Sequence, residues 1–354
     1  MTAAIKKHGF EAQSGGAVRA PTVSAGYARN LMDYALSRGV DPGALIALSG
    51  VSPGDLEDPD ARVPLARYMA LMRAAKALCR EPALALHLGA VNDFKELSVV
   101  GLICYAAPTM GEALIELNRY GRLVAEVDMA VTGPRFQVTP LDGGLWLVDL
   151  RSDPDSFPEM TESTWSRFIS ETARHFPDAP FAKAVHVTHA EPEHGAEYER
   201  VLKVPVTFGS DRNAILMDAS WLSIPLHNPS RYAFGVLSEH ADRLLRSLEN
   251  ARTTRGQVEG LLIPLLHKGD VGMADVAKAL GMSRASLYRK LKMEGVSFDA
   301  LVDDLRHRMA LHYLNGRKTS VNETAYLVGF SDPSSFSRAF KRWTGSSPRG
   351  RVSK

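Results

Sequence analysis

Apolar residues recur at helical spacing through the first part of the chain. Leu31, Tyr34, Ala35 and Arg38 fall three and four apart, and "RGVDP" then stops the pattern. A second helix is predicted over 63–78, with Leu65, Tyr68, Met69 and Met72 on one face. In "PTMGEALIELNRYGRLV" Thr109 occupies a capping position, Glu112 lies three residues on, and Ala113, Leu114 and Leu117 follow, as in a capped amphipathic helix. The period then changes. "DMAVTGPRFQVTPLDGGLWLVDLRS" holds two alternating runs split by "LDGG", which predicts a hairpin. "PEMTESTWSRFISETARHF" returns to helix, whereas "AKAVHVTHAEP" and "VPVTFGSDRNAILMD" predict further strands. Residues 21–225 therefore read as an α+β domain. Residues 226–252, turn-rich and then polar and helical, read as an inter-domain linker. From Gln257 onward the strand pattern is gone, so 253–354 read as an all-α domain.

That last domain contains a duplication. "DVAKALGMSRASLYRKLKMEG" (275–295) and "VNETAYLVGFSDPSSFSRAFKRWTG" (321–345) align at a central glycine. Ala277 matches Ala325, Gly281 matches Gly329 and Ser283 matches Ser331. Past the turn the second copy has one extra residue. Then Leu287 matches Phe336, Arg289 matches Arg338, Leu291 matches Phe340 and Lys292 matches Lys341. The alanines are small where two helices cross. The glycines suit a helix end in the left-handed region, and the serines can cap the next helix. Leu287 with Leu291, and Phe336 with Phe340, are i,i+4 pairs for a buried stripe. The pattern is a tandem helix-turn-helix, the first at about 273–292 and the second at about 321–343. Between them Phe298, Leu301, Val302, Leu305, Met309 and His312 predict one long helix over about 297–315. At ~1.5 Å per residue it spans roughly 28 Å, near the ~34 Å between successive major-groove faces of B-DNA.

Charge strengthens the picture. Residues 250–354 hold 18 lysines and arginines against nine acidic residues, and the rest of the chain holds 24 against 31. A basic block on an acidic body points to a polyanionic partner. No run approaches the roughly 20 apolar residues of a membrane span. Residues 1–20 read as a flexible tail without the apolar core of a secretory signal. The two cysteines, Cys79 and Cys104, sit in apolar surroundings and read as free thiols of a reducing, cytoplasmic compartment.

The last hundred residues resemble the DNA-binding domain of AraC/XylS-family bacterial transcription regulators. The resemblance is carried by "GFSDPSSFSRAFKRWTGSSPRG" and by the tandem arrangement. The sequence departs from that family's pattern after Ser347-Pro348, where Arg349 and Arg351 follow without an aromatic residue. By position, the resemblance implies base-facing roles for Ala285, Tyr288 and Arg289, with Ser283 and Ser286 near phosphate and Lys292 on the same free face. In the second copy it implies base-facing Pro333, Ser334, Ser335 and Arg338, with Ser337 and Lys341 beside the backbone. The short side chains of the second copy predict a larger share in affinity than in sequence choice. Residues 21–230 resemble the arabinose-binding-like regulatory domain of one branch of the family, which implies an unidentified small-molecule effector, homodimerisation and RNA polymerase as a partner.

Other chemistry is sparse. His186, His189 and His194 with Glu191 and Glu193 are irregularly spaced and broken by Pro192, so they are read as ordinary histidines and not as metal ligands. Asp153, Asp155, Glu159 and Glu162 are read as solvated charge. No nucleophile elbow, phosphate loop or dinucleotide fingerprint is present, and no catalytic residue or cofactor is expected. Tyr105, Met110, Tyr120, Phe136, Trp146 and Trp165 are candidates for an effector pocket or for plain core. The leading expectation is a sequence-specific activator. A ligand-free interaction platform and an enzyme fused to a DNA-binding module are the alternatives.

Overall fold

The computed structural model describes residues 20–130, 133–226, 230–251, 253–269, 272–315 and 319–348. The segment read as a tail lies outside them up to residue 19, as do Arg349 and Arg351. The described chain forms two compact units that divide between Leu245 and Arg246.

The first unit opens with β1 (Thr22–Ser24), α1 (Ala25–Ser37), α2 (Pro42–Ser49), β2 (Arg62–Pro64) and α3 (Leu65–Cys79). Next come α4 (Leu84–Val91), α5 (Val99–Ala106) and α6 (Met110–Val124), the last capped by Thr109 as its sequence predicts. Strands β3 (Phe136–Leu141) and β4 (Gly144–Asp149) are the expected hairpin. Helix α7 (Pro158–His175), β5 (Ala182–His186), α8 (Gly195–Leu202), β6 (Val206–Thr207), β7 (Asn213–Met217) and α9 (Arg231–Asn250), which continues past the division at Leu245, complete the order.

The sheet runs β3-β4-β7-β5-β6, antiparallel except for the β5–β6 pair. Its middle strand is thus the last in sequence, and Ile215 of β7 pairs with Leu147 on one side and Val185 on the other. Trp165 and Ile169 of α7 join these residues, Phe136 and Phe181 in one apolar core. The opposite side of α7 meets α4. Gly89 carries no Cβ there, and one would lie 2.5 Å from the Ser163 carbonyl oxygen. Ser166 Oγ donates to the Leu86 carbonyl at 2.6 Å across the same contact. Helix α7 is therefore buried on two sides. The stretch read as linker is largely helical: α9 begins at Arg231, and its Asp242 accepts from Arg119 at 3.0 Å and from the Tyr120 hydroxyl at 2.8 Å within the first unit.

The second unit contains α10 (Thr254–Leu262), α11 (Met273–Ala279), α12 (Arg284–Met293), α13 (Phe298–Asn315), α14 (Val321–Leu327) and α15 (Pro333–Thr344). Its core joins Leu287 and Leu291 of α12 to Phe336 and Phe340 of α15 through Leu301, Leu305, Ala310 and Leu314 of α13. The 18 residues of α13 span about 27 Å. Its buried stripe ends differently from the predicted one. His312 is exposed, and Ala310 and Leu314 are buried in its place. Leu301 and Leu305 lie on a different side of the helix from Ala310 and Leu314, so the stripe turns along it.

Ion pairs fix this scaffold. Arg255 bonds Glu259 at 2.9 Å and Asp304 at 2.7 Å, while Arg308 bonds the same two carboxylates at 2.8 and 3.2 Å. This four-membered ring ties α10 to α13. Glu294, just past α12, accepts the Thr254 and Arg255 amides at 2.7 and 2.8 Å, placing a carboxylate on the N-terminus of α10.

Both turn glycines have positive φ, +67° at Gly281 and +83° at Gly329. A Cβ at Gly281 meets nothing within 4 Å, whereas one at Gly329 would sit 2.2 Å from the Leu266 carbonyl oxygen. Gly281→Ala should therefore lower stability by about 1 kcal/mol, the left-handed penalty alone. Gly329→Ala should lower it by clearly more. Urea unfolding of the two variants compares them, and equal losses would contradict the steric assignment.

Candidate nucleic-acid interface and an apolar cavity

Each helix-turn-helix is built by local rules. Ala277 and Ala325 are buried where the first helix of each pair crosses the second. Helix α12 is capped by Ser283, whose side chain accepts the Ser286 amide. The second copy departs from its predicted cap. Ser331 does not cap α15. Asp332 does, accepting the Ser334 and Ser335 amides at 2.9 and 2.8 Å. The extra residue past the second turn is the cause, because it moves the helix start one position further from the glycine. Pro333 follows at the first helical position, where its missing N–H is not needed.

The burial of Leu287 and Leu291 turns the other side of α12 outward. Ala285, Arg289 and Lys292, spaced i, i+4 and i+7, are all exposed there, with Tyr288 at one margin and half-buried Ser286 at the other. On α15, Phe336 and Phe340 point inward, and Ser334, Arg338 and Lys341 repeat the same spacing on the exposed side. Ser337 and Ser335 flank them, half-buried, and Pro333 lies half-buried at the first turn. Arg338 donates to Ser335 Oγ at 3.0 Å. Ser283 is exposed beside Ser286, and the two hydroxyls are 3.0 Å apart. The sequence-predicted residues thus fall on two outward faces of matching register. Sequence reasoning passed over Arg284, exposed in the first turn of α12, and Met293, one turn beyond Arg289 and 87 % exposed. The spacing from Arg289 to Met293 was the available signal for the second.

Not every cation of the basic block faces outward for a partner. Arg342 is paired to Asp303 at 2.8 Å, and Asp303 also accepts from Trp343 Nε1 at 3.0 Å. Arg306 donates to the Gly269 carbonyl at 2.8 Å and covers the Phe330 ring. Arg255 and Arg308 belong to the ring described above. The basic surplus is therefore partly structural.

The first unit holds a cavity of about 500 Å³. Leu114 and Leu117 of α6, Phe168 and Phe176 of the α7 region, Phe181 and Leu222 form much of its apolar wall. Of the six predicted pocket residues, Tyr105 and Met110 line it. Phe136 and Trp165 belong to the core of the sheet. Trp146 packs on His186, and Tyr120 bonds Asp242. Burial pushes the Cys104 thiol in the cavity wall up to about 12, so it stays neutral. Cys79 and Cys104 are both free.

Two acidic residues depart from the solvated reading. Glu159 pairs with Lys76 at 2.8 Å, and Glu162 is 3 % exposed. Its Oε1 accepts the Tyr198 hydroxyl at 2.7 Å and lies 3.0 Å from His194 Nε2, while the same hydroxyl lies 3.0 Å from His189 Nε2. The fold brings His189 and His194 to one buried tyrosine. Among the described residues, no group of three or more potential ligands is arranged for a metal ion.

Two family models match the chain. One, described as the arabinose-binding domain of AraC transcription regulator, N-term, matches residues 39–226, and one described as a helix-turn-helix domain matches 276–350. The chain is 28 % identical over 339 residues to the ornithine utilization regulator of Pseudomonas aeruginosa, covering 93 % of this chain and 96 % of that protein. It is 32 % identical over 114 residues to the transcriptional activator NphR of a Rhodococcus species, 32 % of each chain. Among solved structures, the transcriptional regulator CdpR from Pseudomonas aeruginosa aligns over 92 % of this chain and 97 % of its own, with 21 % identity and a TM-score of 0.43. No helix among the described residues is long and apolar enough to cross a membrane.

The Asp332 cap gives α15 a pH signature. Hydrogen bonds from Ser335, then the Ser334 amide, hold its carboxyl below the ordinary carboxylate range. A depressed folded-state pKa stabilises above the unfolded value and loses that contribution as pH falls through the folded one. The wild-type chain should therefore lose stability relative to Asp332→Asn on acidification below about pH 4. Thermal unfolding from pH 3 to 7 measures this, and a pH-independent difference between the two proteins would remove the cap from the account.

Proposed function

Because the chain belongs to the AraC family of DNA-binding transcription regulators and carries the arabinose-binding type of N-terminal domain, we propose that it is an effector-responsive activator that docks α12 and α15 on promoter DNA. One observation carries this reading. Two helices bury matched apolar pairs and expose matched outward triplets, Ala285/Arg289/Lys292 and Ser334/Arg338/Lys341. Small residues early in each helix allow close approach to a major groove, and the basic residue one turn on reaches a base edge or a phosphate. In this reading Arg289 and Tyr288 do most of the discriminating, with Ala285 lying against a base. Ser283 and Ser286 meet phosphate, joined by Lys292. The second head meets DNA through Pro333, Ser334, Ser335 and Arg338, with Ser337 and Lys341 on the backbone. It supplies affinity more than choice.

Effector sensing is supported by the cavity in the first unit, where a small molecule would bias the population of DNA-competent chains. Activation is supported by the likeness to the transcriptional activator NphR, and RNA polymerase as a partner rests on the family resemblance. Homodimerisation and a cytoplasmic location rest on the family resemblance.

Arg289→Ala should reduce discrimination between the target promoter and a site altered at one base by about 1–3 kcal/mol. Lys341→Ala should weaken binding to both sequences alike and reduce the slope of log K against log salt by about 0.9, one phosphate contact. Arg342→Ala, already committed to Asp303, should change neither. Fluorescence anisotropy at several salt concentrations reads all three. Wild-type binding by both Arg289→Ala and Lys341→Ala would refute the assignment of the two faces.

A further inference from the structure

Arg167 is the least explained charge in the first unit. It lies in the middle of α7 and is 4 % exposed. No described residue gives its guanidinium a hydrogen bond or an ion pair, and Nε is sealed from solvent without an acceptor. Its described neighbours are two buried tyrosines: the Tyr27 ring lies 5.4 Å from Cζ to centroid, and the charge acts on the hydroxyls of Tyr27 and Tyr68, neither of which is a carboxylate. Between residues 20 and 245, those outside the description are Val131, Thr132, His227, Asn228 and Pro229, none of which carries a carboxylate. A guanidinium stays protonated in proteins, and a buried charge without a counter-ion is strongly unfavourable. Nearby arginines show the ordinary solution: Arg135 and Arg151 both bond Asp149, at 2.9 and 3.0 Å.

Arg167 also lines the apolar cavity. The other charged groups in that lining are already satisfied. Lys95 pairs with Asp93 at 3.2 Å and lies over the Tyr105 ring. Glu171 accepts the Phe94 amide at 2.8 Å and the Tyr105 hydroxyl, and pairs with Arg174 at 3.2 Å. His175 lies 2.8 Å from the same hydroxyl. The cavity therefore offers one open cation and an apolar wall. Its volume falls within the range of ordinary small-molecule sites.

We infer that this cavity binds an organic monocarboxylate with an apolar body, its carboxylate seated on Arg167 and its body against Leu114, Leu117, Phe168 and Phe181. A planar guanidinium matches a carboxylate with two parallel hydrogen bonds. A phosphate dianion would bring one charge too many into an apolar site with one free cation. A ligand amine finds no unpaired carboxylate in the described lining, since Glu171 is already bonded. The inference rests on the sensor reading above and names the class of its effector.

The test uses the full chain and defined probes: decanoate and 4-phenylbutyrate, the primary alcohol and primary amine of each skeleton, and decyl phosphate. Thermal shift and calorimetry should show at least one acid binding at least 30-fold more tightly than its alcohol, with the amines and decyl phosphate weaker still. Arg167→Met should abolish that preference while leaving the ligand-free chain as stable as wild type or more so, because an unpaired buried charge has been removed. Arg167→Lys should recover only part of it. Equal binding of acid and alcohol, preference for the phosphate, no binding of either acid, or a large loss of ligand-free stability in Arg167→Met would each overturn the inference. Promoter binding with and without the acid separates the two readings. An acid that binds through Arg167 and leaves promoter affinity and transcription unchanged refutes the sensor reading alone.

Discussion

Everything the second unit presents outward depends on two apolar pairs. Leu287 with Leu291, and Phe336 with Phe340, fix the rotation of α12 and α15 about their own axes, because each pair must enter the shared core. Once those side chains are inside, helical geometry leaves no choice about what faces out: Arg289 and Arg338 stand nearly opposite the buried stripe. The core does this for both helices through one long spine, α13, whose buried stripe turns along its length. Rotation of either helix by one residue would bury a cation and expose a phenylalanine or leucine. That difference of several kcal/mol is what sets the outward faces.

Charge is then divided between two tasks. Arg255, Arg306, Arg308 and Arg342 are held by carboxylates or carbonyls of their own unit. Arg289, Lys292 and Lys341 face outward, as does Arg338, which donates to a neighbouring hydroxyl and lies near the Asp332 carboxylate. Exposed ion pairs of this kind add little stability singly, but the shared ring on Glu259 and Asp304 links two helices through four bonds. A count of basic residues over 250–354 therefore overstates the charge available to a polyanion, while the position of each residue against the buried stripe does not.

The same contrast separates what the sequence disclosed from what it did not. The helix-turn-helix pairs were legible because their determinants are local: a left-handed glycine, a cap, an i,i+4 apolar pair. The β3–β4 hairpin was legible for the same reason. Sheet order was not, since β7 enters between β4 and β5 from far along the chain, and strands β1 and β2 are too short to show a period. One cap was misplaced by one residue, at the insertion that distinguishes the copies. The cavity was legible only at Tyr105 and Met110, because its wall is assembled from α5, α6, α7 and the residues after β7. "PEMTESTWSRFISETARHF" predicts the helix that carries Arg167 but not which of its sides is covered. Tertiary packing buries the arginine, with α4 at Gly89 beside the backbone of Arg167 and Tyr27 of α1 at its guanidinium.

That burial bears on how a small molecule could control a regulator. A ligand shifts an equilibrium only by its difference in affinity for two states, and taking a population from 1:99 to 99:1 needs about 5.5 kcal/mol. Apolar contact alone gives such a difference slowly, at ~25 cal/mol per Å² of area that changes between states. A buried cation without a counter-ion gives it in one step, because a charge-assisted pair in a water-poor cavity is either made or not made. Arg167 sits on the helix whose other face, through Trp165 and Ile169, carries the core of the sheet. Ligand charge at Arg167 therefore acts on the element around which the first unit is packed. A carboxylate bound there has leverage that the same molecule held only by its apolar body would lack.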